Sequence, residues 1–137
     1  MLRGVLLVIA MLASGSPPAF KVIAHPQVGT KSMSVRDASE MFMKRTTSWS
    51  DGSRVRPVDQ AITANVREAF SRAVHGKSAR AVKNQWSQII FTGQGTPPPE
   101  VPSDAKVLEY VLSNPGAIGY VAGDFPTGAA RVLALEE

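Results

Sequence analysis

With 137 residues, 44% of them hydrophobic, the chain has material for one globular domain with its own core and no room for a second. A charged fraction of 19% and a net charge of +4 are ordinary globular values, which excludes a disordered tail and a polytopic membrane protein. The absence of cysteine removes disulfide scaffolds, thiol nucleophiles and thiolate metal sites together.

In chain order, Met1 and Arg3 supply a positive start, Val5 to Leu12 is almost wholly apolar, and Ala13-Ser14-Gly15 are small residues of the kind a signal peptidase accepts. The apolar stretch is shorter than the roughly 20 residues of a spanning helix. Residues 1–19 are therefore expected to be a signal peptide, cut near Gly15 or after Ala19, and residues 20–137 the mature domain, periplasmic or secreted.

Phe20 to Ala24 is compact and β-branched, ends at His25-Pro26, and reads as the first strand. Ser34 to Asp37 resembles a capping box opening a helix to about Met43, with Val35, Ala38, Met41 and Phe42 on its buried stripe. Asp51-Gly52 marks a tight turn before an extended segment, Arg54 to Val58. A second helix follows, capped by Thr63 or by Asn65, the latter with Glu68 in the reciprocal position. It buries Val66, Ala69, Phe70 and Ala73 and stops at Gly76.

Ser78 opens a third helix carrying Ala81, Val82, Trp86, Ile89 and Ile90, and Phe91 to Pro99 is a glycine and proline loop. Ser103 opens a fourth, with Val107, Leu108, Val111 and Leu112 inward, stopped by Asn114-Pro115-Gly116. Ala117 to Val121 and Arg131 to Leu135 are the last strands. This alternation predicts an α/β fold with helices packed on a mixed central sheet.

Three ordered segments exceed what packing alone predicts: Phe42-Met43-Lys44 leading to Trp49-Ser50-Asp51-Gly52, Pro57-Val58 with Arg67 and Phe70, and Pro115-Gly116-Ala117-Ile118-Gly119-Tyr120-Val121. Together they resemble phosphate-type substrate-binding proteins of ABC transporters, in a short single-lobe form. The resemblance implies a single periplasmic-binding-protein-like lobe, with an anion held at helix N-termini by unpaired backbone donors. The chain departs from that pattern after Val58. Where the family places an arginine and a Gly-Ser-Gly-Thr-Thr-like turn, it reads Asp59-Gln60-Ala61-Ile62-Thr63-Ala64-Asn65.

Two clusters are candidates for ligand binding. Thr46, Thr47, Ser48 and Ser50 form a hydroxyl-rich loop beside Lys44 and Arg45, suited to charge-assisted bonds to an oxyanion or to plain solvation. Thr63, Asn65 and Arg67 lie at a helix start, where a donor role competes with capping. His25 and His75 lack metal-like spacing, so no metal site or cofactor is expected. Asp51 and Asp59 read as turn and strand-end residues rather than an acid and base, and no catalytic residue is assigned. Trp49 and Trp86 read as core. Gly93-Gln94-Gly95 lacks the lysine of a phosphate loop. Basic residues are scattered, which argues against nucleic acid and leaves a mild attraction to anions. The expected partners are a small oxyanion such as phosphate and a membrane transporter or other envelope protein. The alternative is an envelope protein-interaction module that has lost its ligand.

Overall fold

A computed structural model describes residues 18–137; the expected signal peptide lies almost wholly outside the described residues. Strand β1 (Phe20–Ala24) is central. It pairs antiparallel with β6 (Ala117–Ala122) and β7 (Arg131–Glu136). Two short parallel partners complete the sheet, β2 (Ser32–Ser34) against β7 and β3 (Arg56–Pro57) against β6, giving the order β2-β7-β1-β6-β3. Strands β4 (Asp59–Gln60) and β5 (Glu100–Val101) form a separate parallel pair with Asp59 opposite Glu100.

The sheet is covered on both faces, and the pleat divides each strand between two cores. Val22 and Ala24 point to the side filled by α1 (Val35–Phe42) and α2 (Asn65–Phe70), where Met41, Phe42 and Phe70 meet Tyr120. Ile23 points to the other side, under Val107 and Val111 of α4 (Asp104–Ser113). Helix α3 (Ala79–Phe91) packs Val82 and Trp86 on Met43. Among the described residues no helix is long and apolar enough to cross a membrane.

Three expected caps form: Ser34, Ser78 and Ser103 accept from the backbone N–H groups of Asp37, Ala81 and Lys106. The cap of α2 does not. Its N-cap is Ala64, without a side-chain bond, and Thr63 and Asn65 are exposed. Glu68 instead accepts from Ala79 N–H, capping the following helix. Helix α2 continues as a π-helical turn, Ser71–His75, before Gly76 at φ 70. The wider turn rotates the buried face onto Arg67, Phe70, Ser71 and Val74 and leaves Ala73 exposed, against the regular spacing. Ile90 and Leu112, expected inward, are also exposed.

Candidate functional site

Part of the segments that carried the resemblance serves the fold itself. Trp49 Nε1–H donates to Gly116 O at 2.9 Å, and Arg56 N–H donates to the same carbonyl at 3.0 Å. Gly116 has φ 85, and a Cβ there would lie 2.1 Å from Arg54 O; one at Gly119 would meet Val107 at 2.7 Å and Val58 at 2.8 Å. Packing and backbone geometry therefore account for Trp49, Gly116 and Gly119 among the residues of those segments. Trp49 and Trp86 are buried, as expected.

Around the start of α2 the polar side chains satisfy one another. Arg67 is 3% exposed; its Nη1 donates to Gln60 O at 2.9 Å and to Glu100 Oε2 at 2.8 Å, and its Nε lies 3.6 Å from Asp59 Oδ1. The Tyr120 hydroxyl donates to Asp59 and accepts from Gln60 N–H. Gln60 Nε2 donates to Asp104 and to Tyr120 O, while Lys83 closes the outer end on Glu100 at 3.1 Å. Burial pushes the Asp59 carboxyl up, against the pull of Arg67 and the Tyr120 hydroxyl. Burial alone would lower Arg67; the Asp59 and Glu100 carboxylates outweigh it. Asp59 and Glu100 balance Arg67 and Lys83, so this centre offers an anion no spare positive charge.

The hydroxyl-rich loop is different. Thr46, Thr47 and Ser48 line a depression of about 380 Å³ together with Lys44 and Arg54, and no carboxylate lines it. Ser50 is exposed in the adjoining turn and is not part of the lining, whereas Arg54, read from the sequence only as the start of a strand, is. Lys44 and Arg54 form no ion pair among the described residues. Burial first, and then the charge of Arg54, hold the Lys44 ammonium below its usual pKa.

Lys44 also occupies a backbone position that favours glycine. Helix α1 ends with Lys44 N–H on Met41 O and Arg45 N–H on Glu40 O, and Lys44 has φ 61. Helix α3 ends with the same two bonds, from Gly93 to Ile90 O and from Gln94 to Ile89 O, and there the left-handed residue is Gly93, φ 73. A side chain in that conformation costs about 1 kcal/mol. The fold carries this cost where it places an ammonium beside a guanidinium.

A third polar cluster lies behind α1. His75 Nδ1 is 2.8 Å from Ser39 Oγ, and its ring meets Phe70 edge-on. Burial, with the charges of Arg67, Lys77 and Arg45 adding to it, lowers its pKa from 6.5 to about 4. Among the described residues no group of acidic or histidine side chains is arranged to hold a metal ion.

No protein-family model matches the chain, and no curated protein matches it. Solved structures do. A Clostridium perfringens protein assigned as a phosphate ABC transporter substrate-binding protein, with phosphate bound, superposes with a TM-score of 0.68 at 15% identity, over 88% of this chain and 47% of its own. An ABC-type phosphate transport receptor from Vibrio cholerae gives 0.68 at 12% identity, over 89% and 49%. PstS from Borrelia burgdorferi gives 0.60 at 10%, over 87% and 47%. The chain thus has the fold of a single lobe of such proteins and spans under half of their length, as the resemblance implied.

Proposed function

We propose that the mature chain, exported by a signal peptide over residues 1–19, is a single-lobed extracytoplasmic binding protein with modest affinity for oxyanions such as phosphate. In this reading the site is the depression bounded by Lys44 and Arg54, with Thr46, Thr47 and Ser48 as hydroxyl donors. One observation carries it: two cations with no ion pair among the described residues meet at a concave surface without a carboxylate, one of them half-buried and in a costly backbone conformation. Strained or perturbed residues of this kind concentrate at functional sites. The assignment of the structural neighbours to phosphate transport favours the same ligand class. Arg67, by contrast, is occupied by Glu100, Asp59 and Gln60 O, and in this proposal it holds the fold rather than a ligand.

A thermal-shift titration with phosphate, sulfate and unrelated anions at matched ionic strength tests this. A ligand that binds only the native state adds about 1.4 kcal/mol at tenfold excess over its Kd. The expected result is saturable stabilisation by an oxyanion that Lys44→Ala or Arg54→Ala abolishes. A flat response in the unaltered protein, or one untouched by both variants, sinks the proposal.

The alternative, an envelope protein-interaction module without a small ligand, draws on the apolar end of α3, where Phe91 is 91% and Ile90 49% exposed. It requires that Phe91→Ser disrupt capture of a membrane transporter or other envelope protein; unchanged capture counts against it.

A further inference from the structure

The depression that holds the proposed anion does not end at Lys44. On the far side of that residue lies a second one, of about 460 Å³, lined by Arg45, Trp86, Ile89, Gln94 and Thr96. The two share Lys44 and Thr47 as common wall, and no acidic side chain lines either. The first depression alone, at about 380 Å³, is much larger than one water-sized group needs. One tetrahedral oxyanion fills a corner of that space and leaves the second depression empty.

We infer that the two depressions form one groove for an oligophosphate chain of two or three phosphoryl groups, with Lys44 at its middle. This rests on the reading that the Lys44–Arg54 surface holds an anion, and extends it to the class of ligand. The cations are spaced along the groove rather than gathered at one point: Arg54 borders the first depression, Lys44 both, and Arg45 the second. Arg45 is paired with Glu40 at 3.2 Å and serves as the weaker end. Hydroxyls accompany the cations on both sides, Thr46, Thr47 and Ser48 in the first depression and Thr47 and Thr96 in the second, which suits a ligand with acceptor oxygens along its length. Such a chain increases its favourable contacts with every phosphoryl group that finds a cation, whereas a lone phosphate engages one section only.

The experiment is a titration of the whole protein, followed by calorimetry and by ¹H–¹⁵N spectra, with orthophosphate, pyrophosphate and tripolyphosphate at matched ionic strength. Of the two depressions Trp86 borders only the second, though it also lines a cleft beside Lys83, and Trp49 is bonded to Gly116 O; the Trp86 indole N–H resonance, assigned with Trp86→Phe and followed in a Lys83→Ala background, therefore reports occupancy of the second half. Affinity should rise about tenfold or more from orthophosphate to tripolyphosphate, a step of 1.4 kcal/mol. The Trp86 resonance should move with tripolyphosphate alone. Lys44→Ala should weaken both ligands, and Arg45→Ala and Thr96→Ala the longer one only. Adenosine triphosphate distinguishes a free chain from one carried by a nucleoside: affinity equal to tripolyphosphate points to the free chain, and a gain to the carried one. Equal affinities for orthophosphate and tripolyphosphate, or a motionless Trp86 resonance, overturn the inference and leave the single-anion reading standing. Absence of binding by every phosphate removes both.

Discussion

Two parts of this molecule hold arginines in opposite ways. At the start of α2, Arg67 is closed in by a backbone carbonyl and two carboxylates, and each cation there has its carboxylate. At the end of α1, Lys44 and Arg54 face a concave surface with no acid in its lining. A buried, balanced network specifies a fold, while an unbalanced one at the surface is suited to a partner of opposite charge. The comparison breaks first at its closed side. Arg67→Ala leaves Asp59 buried with the Tyr120 hydroxyl but no cation beside it, while Lys83 still holds Glu100, and unfolding by urea should show a loss of about 3–5 kcal/mol, the usual cost of orphaning one member of a buried ion pair. A loss below about 1 kcal/mol, the range of exposed pairs, would mean that the network is solvated and the contrast is false.

His75 feels the charges of both regions, Arg67 from the closed network and Arg45 and Lys77 besides. Its pKa falls from 6.5 to about 4 on folding, so between those values the unfolded chain binds the extra proton. Stability contributed by the neutral ring is present above pH 6.5 and is lost as pH falls toward 4. The full effect is on the order of 2 kcal/mol, allowing for the part of the ring that solvent reaches. Urea midpoints measured across that range should drop on acidification, and His75→Asn should flatten the slope. An anion in the groove beside Arg45 should lessen the drop in the unaltered protein.

The two helix ends sharpen the contrast at a smaller scale. Because Gly93 and Lys44 fill equivalent positions, Lys44→Gly removes a backbone cost of about 1 kcal/mol and the repulsion of Arg54 together. The variant should melt higher than the unaltered chain and respond less to phosphate. A gain in stability at the expense of binding is the signature of a residue kept for its ligand. Equal melting with full phosphate response would assign Lys44 to the fold alone.

The sequence disclosed what local chemistry determines. Serine caps, the compact β-branched run of β1 and the stops at Gly76 and Gly116 need only neighbours in the chain, and each was legible. The self-satisfied centre was not, because Glu100 reaches Asp59 only through β5, which follows the glycine and proline loop, and because Tyr120 enters from a strand sixty residues on. The face of α2 was misread because the π turn at residues 71–75 has no signature in a pattern of regular spacing. In the groove, Thr46, Thr47 and Ser48 were visible beside Lys44, but Arg54 joins them through a bridge between Ser48 and Arg54 that closes a turn. The Asp51-Gly52 signal between them was the clue.

The smallest expected effect tests the other half of the sequence reading. Thr63 and Asn65 were candidates either as ligands or as caps, and the structure gives neither a capping bond, since the N-cap of α2 is Ala64. Ser78→Ala should cost about 1 kcal/mol, because its hydroxyl receives Ala81 N–H at the head of α3. Thr63→Ala and Asn65→Ala should each stay within about 0.5 kcal/mol, as substitutions at exposed positions without a specific contact do. Neither should change the phosphate titration, because the charge beside them is already cancelled by Asp59 and Glu100. If Thr63→Ala weakens phosphate as much as Lys44→Ala does, the anion sits at the closed centre after all, which then must open to admit it.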